Sequence, residues 1–319
     1  MASASTSDKA LPLVTDLGEE TYQADSLLRL TVLRFLKHRM AVFGIVLLAM
    51  IVVFVVGGAF FYTEDYANQT AMLQKFEAPS YEHPFGTDQV GRDIFARTIY
   101  GGQISLMIAI VSVAISMTVG TMVGLVAGYF GGWIDSLLMR LVEALLAIPT
   151  LILLLMLSRI MAGSTTMVNI LGRQLSASVV AIVFIIGLTG WMGLSRIVRS
   201  MVLSLKEQEF IQAAHMIGAT NAQIIFRHIL PNCIAPIVVS ATLGVGNAII
   251  VEAYLSFLGF GVMPPTATWG NILTRAQDMI DEVWWMWMAP GILIILTVLA
   301  INFIGDGLRD ALDPRMRKS

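Results

Sequence analysis

Two acidic residues stand inside long apolar stretches of this 319-residue sequence and are the first candidates for chemistry. Glu143 follows Asp135 and Arg140 within one stretch, and Glu252 lies near the end of another. An ionisable group inside a membrane is energetically unfavourable and is therefore a candidate functional residue by default. We therefore predict that Glu252 and Glu143 are candidates for lining a translocation pathway. For Glu143 the favoured alternative is a local salt bridge with Arg140, one helical turn away.

No catalytic or metal-binding motif accompanies these residues. The sequence lacks the G-x-x-x-x-G-K-[ST] phosphate loop, so we expect the chain neither to bind nor to hydrolyse ATP. Its one cysteine, Cys233, permits no intrachain disulfide and indicates no cysteine metal site. The 19 methionines are scattered, as apolar filler would be. We predict a chain that is not an enzyme, binds no metal or cofactor itself and has no nucleic-acid partner.

A polar segment at residues 210–232 separates two of the apolar stretches and has the pattern of a helical hairpin. Gly218 suits the left-handed conformation that ends a helix, here one predicted over residues 206–217. Thr220 stands three residues before Gln223, which is the spacing of a capping box. We therefore expect a second helix to begin there and to continue until Pro231 stops it.

The second helix of this hairpin carries an apolar side made of Ile224, Ile225 and Phe226. The first helix has little side-chain bulk at Ala213 and Ala214, which allows close approach. Exposed apolar side chains of this kind favour insertion into a socket on a partner. The alternative is a hairpin that packs only on its own membrane domain, and the pattern by itself favours that alternative slightly.

The apolar stretches that position these residues are long enough to cross a membrane. Hydrophobic residues make up 56% of the chain and charged residues 13%, whereas a soluble domain has about 25% charged residues. A bilayer core of about 30 Å is crossed by roughly 20 apolar residues in a helix. We predict an all-α integral membrane protein with spans at residues 40–62, 103–130, 133–158, 175–195, 234–257 and 285–304.

The distribution of basic residues predicts which ends of these spans face the cytoplasm. Lysine and arginine collect on the cytoplasmic side of membrane proteins. The loop at residues 63–102 is acidic and is therefore predicted to be extracytoplasmic, whereas the amino-terminal segment 1–39, the loop 200–232 and both termini are predicted to be cytoplasmic. The basic residues concerned are Arg29, Arg34, Lys37, Arg39, Arg196, Arg199, Lys206, Arg227, Arg309, Arg315, Arg317 and Lys318.

Residues 25–39 mix leucines with basic residues at helical spacing. Such a segment is typical of a helix that lies on the inner membrane surface and contacts lipid. A solvated extension of the first span is an equally good interpretation. The predicted function does not depend on this choice.

The polar segment resembles the cytoplasmic loop signature of ABC importer permeases: Glu-Ala-Ala, three residues, Gly, nine residues, Ile, one residue, Leu-Pro. In this chain Gln212 replaces the acid and His228 replaces the isoleucine, so a salt bridge at the acidic position is not expected. The resemblance implies that the helix at 221–228 docks on an ATPase. It assigns the contact to Gln212, Ala213, Ala214, Gly218, Ala219, Thr220, Asn221, Gln223, Arg227, His228, Leu230 and Pro231.

A second resemblance rests on other segments. HPFGTDQVGRDIFARTIYGGQISL at 83–106, GLVAGYFGGWIDSLLMR at 124–140 and EAYLSFLGFGVMPPTATWGNIL at 252–273 are similar to the dipeptide and oligopeptide branch of these permeases, in its second permease type. The resemblance extends from about Leu33 to the carboxyl terminus. For the Gly-Thr-Asp and Gly-Arg-Asp elements at 86–88 and 91–93, folding of the outer loop is favoured over ligand binding, because these are turn and cap residues.

This family resemblance implies a type I ABC importer (MetI-like) permease fold in a bacterial or archaeal cytoplasmic membrane, with a permease core at 103–319. It also implies a paralogous permease, two cytoplasmic ATPases that use ATP and Mg, and an extracytoplasmic substrate-binding protein. Closure of the ATPases would swing the attached spans and alternate the access of a peptide pathway. Two other classes are weighed against it: an ion-coupled secondary transporter with sites at Glu143 and Glu252, and a scaffold that transports nothing.

Overall fold

The computed structural model describes residues 27–161, 166–170, 172–274, 276 and 279–312. The amino-terminal half has helices α1 (Leu27–Lys37), α2 (Arg39–Gly57), α3 (Glu64–Asn68), α4 (Ile94–Phe130), α5 (Gly132–Leu146) and α6 (Thr150–Met161). A two-stranded antiparallel hairpin follows, β1 (Met167–Ile170) and β2 (Arg173–Ser176). The second half has α7 (Ala177–Leu205), α8 (Glu209–Met216), α9 (Asn221–Gln223), a π-helical turn (Ile224–Ile229), α10 (Leu230–Phe257), α11 (Trp269–Thr274) and α12 (Trp284–Leu312).

Five helical segments are long and apolar enough to cross a membrane. They are α2, α4, α7, the continuous run Asn221–Phe257, and α12, and they contain the predicted spans 40–62, 103–130, 175–195, 234–257 and 285–304 except at a few terminal residues. Helix α4 begins nine residues before the predicted span, after its N-cap Asp93, and so includes a charged residue, Arg97, which is buried and donates to Asn68 (3.1 Å).

The stretch predicted as one span at residues 133–158 is strongly bent. The segment forms α5 and α6, whose axes are bent by 87° at a short break, and the pair makes the sixth span only if it is counted as one. Pro149 lies in that break. Proline has no amide hydrogen for a helical hydrogen bond and disfavours the helical conformation of the preceding residue, so it ends α5.

The core of the bundle is the close contact between α4 and α7. Gly120, Gly124 and Gly128 recur at every fourth position of α4, and a Cβ at Gly124 would lie 2.6 Å from the carbonyl oxygen of Ser195. The hydroxyl of Ser116 donates to the carbonyl of Gly187 (2.8 Å), which reinforces the contact. Small residues of this kind allow helix backbones to approach closely in a membrane. Helix α10 packs on the same pair through Ile249, which is fully buried.

The helix at the amino-terminal side of the first span is separate from that span. His38 interrupts the chain between α1 and α2, and its Nδ1 accepts from the amide of Ala41 (3.1 Å), which caps α2. The same imidazole lies 3.5 Å from the Asp310 carboxylate, so α1 is held at the end of α12. The predicted basic residues Arg315, Arg317 and Lys318, like segment 1–26, lie outside the described residues.

Candidate functional site

The candidate site is the helix pair, defined as residues 209–229, which comprises α8, the turn, α9 and the π-helical turn. One side of the helix pair is anchored in an apolar cluster with the ends of α4 and α7. Ile211, Ile224 and Ile229 are fully buried there. Their neighbours in the cluster include Leu125 of α4 and Val198, Val202 and Leu194 of α7. The helix pair is thus fixed to the membrane bundle by buried apolar area.

The turn of the helix pair has the predicted geometry. Gly218 has φ +84°, the left-handed conformation that glycine tolerates best. Thr220 and Gln223 form the predicted capping box: the amide of Thr220 donates to Oε1 of Gln223 (2.8 Å), and the amide of Gln223 donates to Oγ1 of Thr220 (3.4 Å). These two bonds satisfy donors that the start of a helix leaves free. The predicted first helix is shorter than expected and begins at Glu209 rather than at 206.

The prediction that Pro231 ends the second helix was wrong. The run Asn221–Phe257 is continuous, and Pro231 lies in the first turn of α10. The preceding turn is π-helical, with the amide of Leu230 donating to the carbonyl of Ile225. Proline inside an α-helix lacks one amide donor and collides with the carbonyl four residues back. The wider turn relieves that collision, and the side chain of Asn232 donates to the carbonyl of His228 (2.6 Å).

The far end of α4 also holds the turn. The hydroxyl of Tyr129 donates to Oδ1 of Asn221 (2.9 Å), and its ring stacks on His215 with centroids 6.5 Å apart. Tyr129 lies in the last turn of α4, whereas Asn221 is the first residue of α9. These contacts give the helix pair a polar attachment to α4 beside the apolar one. Sequence pattern did not single out Tyr129 or His215, because residues so far apart in the chain show no local signal of contact.

The exposed apolar surface of the helix pair differs from the one predicted. Ile224 and Ile225 are buried against the protein's own bundle, which corrects their assignment to an exposed side. Phe226 is exposed as predicted (53%), and Met216 (83%) and Ile217 (85%), at the end of α8, are exposed as well. We call Met216, Ile217 and Phe226 the apolar tip. For Met216 and Ile217, their position as an apolar pair directly before Gly218 was a sequence signal of this exposure.

The signature positions divide between the two sides. Ala214 is buried, whereas Gln212, Ala213, Thr220, Asn221, Gln223, Arg227 and Pro231 are exposed, and Ala219, His228 and Leu230 are half-buried. Gln212 stands where the signature has an acid, and its side-chain nitrogen donates to the carbonyl of Glu207 (3.3 Å). That side chain therefore stabilises the entrance to α8 locally.

Glu252 lies inside the subunit and has no exposed surface. Its carboxylate accepts from the hydroxyls of Ser256 (2.7 Å) and Ser105 (3.1 Å). Those hydroxyls in turn accept from the amides of Val262 and Trp269 (3.2 Å each), which belong to the segment after α10. A side chain without exposed surface does not line a pathway in this conformation. The position of Glu252 instead favours a structural role, in which its carboxylate holds α4, α10 and the segment after α10 together.

Glu143 is exposed, and its predicted salt bridge with Arg140 is absent: within the part of the chain that the structure describes, no ion pair joins the two. The ion pair of this region connects Asp135 of α5 with Arg199 of α7, through two parallel hydrogen bonds, one of them 2.6 Å between Nη2 and Oδ2. Glu143 instead borders a groove of about 600 Å³ between α5 and α7.

The Gly-Thr-Asp and Gly-Arg-Asp elements fold the loop between α2 and α4, the role favoured from sequence over ligand binding. Oδ1 of Asp88 accepts from the amides of Val90 (2.9 Å) and Arg92 (3.0 Å), and Oδ2 accepts from the Arg92 guanidinium (2.7 Å). Asp93 caps α4 through the amide of Ala96 (2.7 Å) and contacts the His83 imidazole (2.7 Å). Their polar atoms are thus occupied by the loop itself.

Comparison with known proteins identifies the family to which this architecture belongs. The family model described as "Binding-protein-dependent transport system inner membrane component" matches residues 120–318, and the model described as "N-terminal TM domain of oligopeptide transport permease C" matches residues 26–79. The first of these families has the MetI-like type I importer permease fold. The first match covers the helix pair, α7, α10 and the end of α4, and the second covers α2.

Named relatives agree with these matches. A Brucella suis protein that carries the name of a peptide permease is 43% identical over 284 residues, which are 88% of this chain and 89% of the relative. The dipeptide transport system permease protein DppC of Alkalihalophilus pseudofirmus is 40% identical over 300 residues, 94% of this chain and 93% of the relative. The chain therefore belongs to the binding-protein-dependent transport inner membrane components, as a multi-pass ABC permease of the dipeptide and oligopeptide type, DppC/OppC.

Proposed function

We propose that this chain is one of two permease subunits of an ATP-driven peptide importer, and that the helix pair docks on a cytoplasmic ATPase. The observation that supports the proposal is the two-sided character of the helix pair. Its inner side is buried against α4 and α7, while the apolar tip of Met216, Ile217 and Phe226 stays exposed. A water-exposed apolar patch on a firmly anchored element is characteristic of a protein-binding surface.

The connections of the helix pair suit it to transmit force. Helix α9 continues through the π-helical turn into α10 without a break, and Tyr129 ties the turn to α4. A displacement of the apolar tip would therefore move α10 and α4 together with α7. In the proposed cycle, closure of two ATPases moves these spans, so that a pathway shared with the paralogous permease opens outward and then inward.

The remaining parts of the proposal concern substrate, energy and orientation. The relatives' names support peptides as the cargo, delivered by an extracytoplasmic binding protein. The sequence has no phosphate loop, so ATP and Mg would be used by the partner ATPases and this subunit would be non-catalytic. Basic residues near the helix pair, such as Arg196 and Arg227, favour a cytoplasmic location for it and for both termini of a protein in a bacterial or archaeal inner membrane.

Cross-linking tests the docking contact. Cysteine at Phe226 or at Ala222, an exposed position between the capping-box residues, should cross-link to an ATPase in the assembled complex, because both lie on the exposed side. Cys233 is fully buried and should give little background. Tyr81→Cys, on the outer loop, is the control that should not react. If cysteines placed singly at Met216, Ala222 and Phe226 all failed to cross-link to an ATPase, the docking proposal would be overturned.

A further inference from the structure

The groove between α5 and α7 carries an unusual set of side chains for membrane-spanning helices. Four exposed residues of α7, Gly193, Arg196, Ile197 and Ser200, recur at helical spacing along one side of the groove. Glu143 of α5 lies on the other side. The groove has a volume of about 600 Å³, which is large enough for a short peptide segment.

Two opposite charges in this groove are available to a ligand. Arg196 and Glu143 are both exposed, and in the described ranges neither has an ion-pair partner within 4 Å. The neighbouring Arg199 is already neutralised by Asp135. Glu143 lies about 17 Å along α5 from its first residue, in the last turn before the bend between α5 and α6.

The other exposed faces of the bundle are different in character. Helix α2 presents Val46, Met50 and Val53, all apolar and exposed. Such a surface suits lipid, whereas charged side chains within spanning segments almost always face protein or a water-filled cavity. The position of Glu143 and Arg196 therefore favours a wet or protein-covered face for the α5–α7 groove and a lipid-facing position for α2.

We propose that this groove lines the inner half of the peptide pathway, with Arg196 contacting the carboxylate of a passing peptide and Glu143 its ammonium group. This inference rests on the proposed function, since it presumes a peptide cargo. Free peptides are zwitterions, and an arginine–carboxylate contact is among the stronger hydrogen-bonded pairs. Both residues are specificity-determining here, and neither takes part in ATP hydrolysis. A salt bridge of the same residues to the paralogous permease is the competing occupant.

Thiol labelling tests whether the groove is accessible to water. In the assembled complex, Ser200→Cys should react with a charged, membrane-impermeant thiol reagent, and peptide import should slow the reaction. Val46→Cys is the matched control, because it lies at a similar distance from the inner end of its helix but on the apolar face of α2. An unreactive Ser200→Cys at every stage of the cycle would overturn the assignment.

Removal of the charge tests the contact itself. Arg196→Gln should lower ATP-driven uptake of a free dipeptide about tenfold, the effect of losing one charge-assisted hydrogen bond. ATPase activity and complex assembly should stay within about twofold of the wild type, because neither depends on the contact between Arg196 and a peptide. A tenfold change in either would require the loss of about 1.4 kcal/mol. Arg140→Gln, an exposed cation on α5 outside the groove, is the control and should leave uptake unchanged. Arg196→Lys should restore part of the uptake.

The failures of the two proposals are distinguishable. A wild-type complex that takes up no peptide with ATP would contradict the proposed function. Normal uptake by the wild type and equally by Arg196→Gln and Glu143→Gln would contradict the pathway assignment alone. Loss of complex assembly in both variants, with uptake lost only in proportion, would show the competing salt bridge to the paralogous permease and would equally overturn the peptide contact.

Discussion

At the scale of single residues, a few side chains hold the helix pair in one shape. Thr220 and Gln223 close the capping box, Gly218 makes the turn, and Tyr129 ties Asn221 to α4. The box and the turn were predictable, because both follow from local spacing. The exposure of Met216 and the burial of Ile224 were not, since they depend on how the helix pair lies against α4 and α7.

The capping box makes a prediction for Thr220→Ala. Loss of the hydroxyl that accepts from the Gln223 amide should cost about 1 kcal/mol of local helix stability. Hydrogen exchange of the amides at 221–223 should therefore speed up in the assembled complex. Thr220→Ser keeps the hydroxyl and is the matched control. Equal exchange in the two variants would show that the box does not stabilise α9.

The buried position of Glu252 makes a second prediction. Glu252→Ala removes the acceptor of the Ser105 and Ser256 hydroxyls, and unpaired buried polar groups cost about 1–3 kcal/mol each. The thermal unfolding temperature of the purified complex should fall. Glu252→Gln retains one acceptor oxygen, so the unfolding temperature should fall less. Glu143→Ala, at an exposed position, should have little effect on the unfolding temperature. Unchanged unfolding with abolished uptake would restore Glu252 as a pathway residue.

At the scale of elements, hydropathy predicted the long helices well and their irregularities poorly. Uninterrupted apolar runs are long-range averages, so the five long spans were recognisable. The bend between α5 and α6 and the continuation of α10 through Pro231 depend on two prolines with opposite outcomes. Pro149 lies in a break of the helix, whereas a π-helical turn accommodates Pro231. Nothing in the residue type alone distinguishes these cases.

The contact of α4 with α7 predicts the effect of enlarging a glycine. Gly124→Val adds atoms where a Cβ already lies 2.6 Å from the carbonyl oxygen of Ser195, and overpacking of this kind costs about 1–3 kcal/mol. The unfolding temperature of the complex should drop, and uptake should weaken because α7 anchors the helix pair. Gly291→Ala in α12 is the control, since a Cβ there meets no atom within 4 Å. Similar unfolding of both variants would contradict the close packing.

At the scale of the whole molecule, the fold combines a bundle of long apolar helices, a loop between α2 and α4 in which Asp88 accepts from loop amides, and an anchored helix pair with an exposed apolar tip. The helix pair is the part that a transporter without cytoplasmic partners leaves unexplained. Because α9 runs into α10, force applied at the tip would reach the spanning helices directly. The proposed function therefore requires that transport depend on ATP hydrolysis by the partner ATPases.

Uptake of a labelled dipeptide by vesicles tests this most directly. The vesicles would contain this chain, its paralogous permease and the two ATPases, with the loaded binding protein on the outer face. The account predicts uptake only with ATP, and a large loss when Met216→Asp and Phe226→Asp are combined at the apolar tip. Uptake that persists without ATP and the ATPases, and follows an ion gradient instead, would contradict it.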